Sequence, residues 1–156
     1  MSAWKRICCP VDFSAASSSA LKGAVELASW SGASLTLLHV DERPPLPTPD
    51  ATLIPPEALR RAAVERDRQL AAWREAAARS SGGPVAELLV TGDPAAEIVR
   101  AAAEGRHDVI VMGTHGRSGR AEAPVGSVAQ KVILDAPCPV VVIRSEPSRE
   151  RAVTAP

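Results

Sequence analysis

Apolar residues gather in five short runs along the chain, at 5–9 (KRICC), 35–40 (LTLLHV), 85–90 (VAELLV), 108–112 (DVIVM) and 138–143 (CPVVVI). Each run is nearly continuous in apolar character rather than alternating with polar residues. That pattern predicts strands of a parallel sheet covered on both faces. Pro10 is expected to stop the first run. Adjacent Cys8 and Cys9 should point to opposite faces of that strand.

Between the runs the rhythm is helical. Ser14 is placed to cap a helix through Leu21, Val25 and Ala28 that Gly32 ends. The segment 57–79 is rich in Ala and Arg, with Leu59, Ala63, Leu70, Trp73 and Ala77 as its expected buried stripe. Its Arg and Glu residues read as a solvated face. Asp93-Pro94 is an N-cap and first-turn pair for a short helix ending near Gly105. A last helix is expected over Ser127–Asp135. The stretch 41–56 holds six prolines and predicts a long surface loop without regular structure.

Strands alternating with helices predict an α/β fold, a doubly wound Rossmann-like sheet with helices on both faces. Right-handed crossovers favour the strand order 3-2-1-4-5. Strands one and four then lie side by side at the topological switch point, and ligands of such sheets sit beyond the strand carboxyl ends at that place. Two segments converge there. One is Pro10-Val11-Asp12. The other is MGTHGRSGRAEAPVGS, which begins at Met112 and carries Gly113, Gly116, Gly119, Gly126 and Ser127.

The length of 156 residues suits one domain, taken as 1–145 with a disordered polar tail at 146–156. Lys plus Arg equals Asp plus Glu, at 18 each, and aromatic residues make up only 3%. Neither a basic surface nor a base-stacking platform is on offer, so nucleic acid is excluded as the expected partner. Zero net charge favours self-association. The three cysteines, Cys8, Cys9 and Cys138, read as small core residues in a reducing compartment. The first residues do not form a signal peptide and no run approaches a membrane span. The expectation is a soluble cytoplasmic protein with no membrane partner.

The glycine-rich segment is the main candidate for chemistry. Gly126 and Ser127 stand where the fourth helix begins, and the unpaired N–H groups of such a terminus attract phosphate. The Ser127 hydroxyl and the Arg117 guanidinium would add donors. No Gly-Lys pair occurs, so the segment is not a Walker A loop. No G-x-G occurs, so it is not a dinucleotide-binding fingerprint. From the glycines alone, a ligand-free connection between strand and helix remains open.

The run Gly113-x2-Gly116-x9-Gly126-Ser127 resembles the G-x2-G-x9-G-[S/T] signature of ATP-binding members of the universal stress protein family. PVDFS, LLHV, GDPAAEIV, DVIVMGTHGRSG, GSVAQKV and APCPVVVIR resemble the family's blocks in the same order. The resemblance implies a sheet of the adenine nucleotide α-hydrolase-like type and a stress-response or signalling module. It also implies roles. Asp12, with the backbone of Pro10 and Val11, would face adenine and ribose, and Val40 would meet adenine through its main chain. Met112 and Gly113 would lie under the ribose and first phosphates. His115 and Gly116 would line the phosphate path, and Gly126, Ser127 and Val128 would hold the distal phosphates. The fifth strand, Pro139, Val140, Val141, Val142 and Ile143, would pair across a homodimer interface, which also hides an edge prone to aggregation.

Three functions stay open on these residues. The first is a non-enzymatic dimer that binds ATP, AMP or ADP, with Mg²⁺ bridging the phosphates, and signals to an unknown protein partner. The second is a slow ATPase or phosphoryl or adenylyl transferase, for which Asp12 and His115 are the visible acid–base groups. The third is a nucleotide-free dimeric interaction protein. Pro124 and Glu122 depart from an ideal phosphate loop, by a lost donor and a negative charge. His39 is expected to be packed or hydrogen-bonded, and His107 to lie in a surface turn. His115 either contacts phosphate or packs the loop. No cluster of His and Cys has metal-ligand spacing.

Overall fold

The computed structural model describes residues 3–42, 49, 53–116 and 124–145. Arg117, Gly119, Glu122, the tail from 146 and most of the proline-rich stretch lie outside the described residues. In chain order the elements are β1 (Arg6–Pro10), α1 (Ala15–Ser31), β2 (Ser34–Glu42), α2 (Pro56–Ser81), β3 (Val85–Gly92), α3 (Pro94–Glu104), β4 (Val109–Gly113), α4 (Ser127–Asp135) and β5 (Val140–Ile143). The strands pair in parallel in the order β3-β2-β1-β4-β5.

Local chemistry sets the helix ends. The Ser14 hydroxyl oxygen accepts the Ser17 N–H at 3.2 Å and starts α1. Gly32, at φ 69°, ends α1 in a left-handed conformation that glycine adopts without strain. Asp93 accepts the Ala96 N–H at 3.0 Å, and Pro94 opens α3.

Two cores sandwich the sheet. Ile7, Cys9 and Val11 face α1 and α2 with Leu35, Leu37, Val109 and Val111. Cys8 faces α3 and α4 with Leu38, Ile98, Ile110 and Val132. The two adjacent thiols therefore lie on opposite faces, as the pleat requires. Burial pushes the Cys8 thiol up to about 12 and the Cys9 thiol higher still.

Four expectations need correction. Pro10 is inside β1, not beyond it. Coverage of the sheet is uneven: Leu88 and Leu89 of the edge strand β3 are 37% and 40% exposed. Leu59 is exposed, and the buried residues of α2 begin only at Leu70. A helix of 26 residues is roughly 39 Å long, more than the ~30 Å of the nine-residue β2 on which it packs, so one end of α2 outruns the sheet. His107 is no plain surface residue. Its ring is half-buried with Nε2 3.2 Å from the Thr36 hydroxyl, and desolvation lowers its pKa.

Candidate functional site

The sheet opens at its middle. β1 and β4 pair only at Ile7↔Val109 and Cys8↔Ile110. Beyond that point β1 continues with β2 as far as Pro10↔Leu38, and β4 continues with β5 as far as Gly113↔Ile143. The two central strands part, which makes the switch-point crevice. Pro10 fits this divergence. The next residue, Val11, donates its N–H to Leu38 O of β2 at 2.8 Å. Main-chain groups alternate sides along a strand, so the missing donor of Pro10 faces the gap that β4 has left.

The exit of β1 is tightly held. Val11 O is 2.8 Å from Nδ1 of His39, which is 4% exposed. A carbonyl only accepts, so His39 carries a proton on Nδ1. Asp12 donates its N–H to Ser17 Oγ at 3.3 Å and accepts the Ser14 N–H on Oδ1 at 3.0 Å. Between them Phe13 takes a left-handed backbone, φ 64°.

The exit of β4 packs against that of β1. A Cβ on Gly113 would lie 2.9 Å from the carbonyl carbon and oxygen of Ala16 in α1, so only glycine lets these backbones approach. Thr114, buried, donates its N–H to Ile143 O at 3.1 Å and accepts the Gly126 N–H at 2.6 Å. It thereby ties β5 to the start of α4. A Cβ on Gly116 would lie 2.7 Å from Asp12 Oδ2, and one on Gly126 would lie 3.0 Å from Thr114 O and 3.4 Å from the His115 Cα. Asp12, His115, Gly116 and Gly126 thus form one contiguous patch.

The start of α4 is unlike those of α1 and α3. Gly126 is the N-cap and offers no side chain to the first turn. The first helical bond is Gln130 N–H to Gly126 O at 3.0 Å. The N–H groups of Ser127, Val128 and Ala129 have no partner among the described residues. They carry the positive end of the helix next to Gly126, where a Cβ would lie 3.4 Å from the His115 Cα, a place that favours an anion. The N–H of Gly126 itself is spent on Thr114. Ser127 is exposed, so its hydroxyl is accessible.

Among the other expected residues, Met112 is buried and Val40 and Val128 pack against the same α3–α4 core. Residues that the sequence reading passed over are Thr114, Ala16, Ser17 and Phe13. The Ser-x-x-Ser spacing of Ser14 and Ser17 was a usable signal for one of them. The tie through Thr114 had none. Among the described residues, no three His, Cys, Asp or Glu are grouped to hold a metal ion, and no helix is long and apolar enough to cross a membrane.

The sequence profile of the universal stress protein family matches residues 3–144. A universal stress protein of Methanocaldococcus jannaschii is 32% identical over 150 residues, covering 94% of this chain and 85% of that protein. The structure of a universal stress protein from Lactobacillus plantarum superposes with a TM-score of 0.76 at 28% identity, covering 90% of this chain and 98% of that one. A universal stress protein from Archaeoglobus fulgidus, solved in complex with dAMP, superposes at 0.62 with 26% identity, covering 92% and 99%. The shared sheet order, the profile match over nearly the whole described chain and this level of identity agree: the chain belongs to the universal stress protein family.

Proposed function

We propose that this chain binds an adenine nucleotide at the crevice between β1 and β4 and works as a dimeric, non-enzymatic stress-response module. The observation that carries this reading is the α4 terminus. Its N-cap, Gly126, brings no capping side chain, and the Ser127, Val128 and Ala129 amides have no partner among the described residues, in the same patch as His115, Gly116 and Asp12. Donors for a phosphate are present and no side chain of the N-cap competes for them. The Archaeoglobus relative, bound to dAMP, supports adenine as the base.

ATP is the preferred ligand in this reading, with AMP and ADP as shorter forms. The Ser127 and Val128 amides and the Ser127 hydroxyl hold its phosphates. Pro10, Val11, Asp12 and the Val40 main chain face base and sugar, and Met112, Gly113 and Gly116 lie beneath. A carboxylate as close as Asp12 repels phosphate, so Mg²⁺ accompanies the nucleotide, since that ion needs few protein carboxylates. Isothermal titration with AMP, ADP and ATP, with and without Mg²⁺, tests the proposal. A Kd below about 1 mM, roughly −4 kcal/mol, is expected for at least one of them. No heat at millimolar ligand overturns it.

Dimer formation rests on β5. Its four residues are all half-buried. Ile110 N–H donates to Pro139 O and Thr114 N–H to Ile143 O, so residues 139, 141 and 143 face β4. Val140 and Val142 then turn their main-chain groups to the open edge, where a second copy satisfies them. Light scattering should give twice the chain mass of 16.3 kDa. Val142→Pro, which removes an outward N–H but no bond to β4, should give the single mass. A monomeric parent protein overturns this part.

A further inference from the structure

Phe13 is a bulky residue at φ 64°, a backbone that glycine adopts freely and aromatic residues rarely do. Such outliers persist only when the surroundings hold them. The surroundings here come from two other elements. The Phe13 ring lies 4.7 Å from the His39 ring of β2, tilted by 32°, and 5.3 Å from the Trp73 ring of α2, edge-on at 90°. His39 in turn grips the residue two before Phe13, through its bond to Val11 O. Asp12 lies between these two holds. Its carboxylate accepts the N–H of Ser14, which caps α1, and its own N–H is bound to Ser17.

A glycine in this turn would allow the backbone but hold nothing. A phenylalanine costs strain, and its ring returns contacts to β2 and α2 that aim the turn. We infer that Phe13, clamped between His39 and Trp73, is a positioning residue for Asp12 and couples occupancy of the nucleotide site to helix α2. This inference rests on the nucleotide reading above. Its consequence is that α2 senses whether the crevice is filled: any shift of Asp12 toward a bound ligand moves Phe13, and Phe13 moves against Trp73. The affinity of the site is raised because Asp12 and the start of α1 are held in place before the ligand arrives.

The test uses the full chain with Trp4→Phe and Trp30→Phe, so that Trp73 is the sole indole. MgATP and AMP are titrated while emission and heat are recorded. The parent should bind, and its Trp73 emission should change on saturation. Phe13→Gly keeps the turn but removes the ring. It should weaken binding by about tenfold and silence the Trp73 signal. Because Phe13→Gly also alters the core, Trp73→Leu in the otherwise native chain serves as a second variant. Trp73 meets the site through the Phe13 ring, and this variant should weaken binding in the same direction, read by heat alone. A filler role for Phe13 predicts lower melting temperatures with unchanged Kd. If the parent binds and both variants bind within twofold of it, the coupling is wrong and the nucleotide reading stands. If the parent binds neither ligand, both fall.

Discussion

Gly126 offers a pair of substitutions that should differ from each other in stability while both lose affinity. Its φ of −70° and ψ of 162° are open to any residue, so replacement costs nothing in backbone strain. A Cβ there meets Thr114 O at 3.0 Å and the His115 Cα at 3.4 Å, contacts that a shift of a few tenths of an ångström relieves. Gly126→Ala and Gly126→Ser share that crowding, so comparing them cancels it. What remains is the cap. A serine hydroxyl at this position accepts an amide of the first turn of α4, and such a cap is worth about 1 kcal/mol over alanine, within 0.5–2. For a chain of this length each kcal/mol moves the melting temperature by roughly 2–4 °C. The Ser variant should therefore melt about 2–4 °C above the Ala variant, followed by circular dichroism without ligand. Both variants should bind ATP at least tenfold more weakly than the parent, about 1.4 kcal/mol. Alanine shifts the amides, and serine occupies one of them. Equal melting of the two variants would mean the first-turn amides already have a partner. Parent-like affinity in both would refute the phosphate role of this terminus.

Other outcomes follow from single contacts. Gly113→Ala drives a Cβ into the Ala16 backbone and should lower stability by about 1–3 kcal/mol, seen in urea unfolding; an unchanged midpoint would contradict the tight β4–α1 contact. The buried thiols should resist a thiol reagent at pH 8 in the native protein and react on unfolding. Burial raises the Cys8 pKa from 9.0 to about 12, so the neutral thiol is favoured in the folded state. Its contribution to stability is complete below pH 9 and lost progressively as the pH rises toward 12; Cys8→Ala should flatten that alkaline decline in urea midpoints. Asp108 accepts the N–H groups of Lys5 and Arg6, both at 2.8 Å, and those bonds hold its pKa below the usual 3.8. Its contribution is present above pH 3.8 and lost as pH falls through the lowered value, so Asp108→Asn should destabilise at pH 7, with the deficit shrinking in acid.

Much of the fold was legible because its signals are local. Five apolar runs, the Ser14 and Asp93 caps, Gly32 and the Ser127–Asp135 helix all depend on residues within a few positions of one another. The strand order followed from handedness rules applied to those runs. The candidate site was legible in part. Glycine spacing placed Gly113, Gly116 and Gly126 on one loop, and the fold rule placed that loop across from Asp12. Leu59 was misread because helical periodicity marks a face without saying how far the sheet extends beneath it. His107 was misread because the partner that shelters it, Thr36, is 71 residues away.

Residue types and spacings alone thus determined the elements, the two-sided core and the family, since hydrophobic period and capping act over short stretches of chain. Tertiary structure alone decided which backbone groups were already spent: the Gly126 N–H on Thr114, the Val11 carbonyl on His39, the missing donor of Pro10 turned toward an opening gap. It also decided that Phe13 would be held at a positive φ by rings from β2 and α2. Each of these depends on atoms brought together from distant parts of the chain, and no local preference encodes which distant atom will arrive.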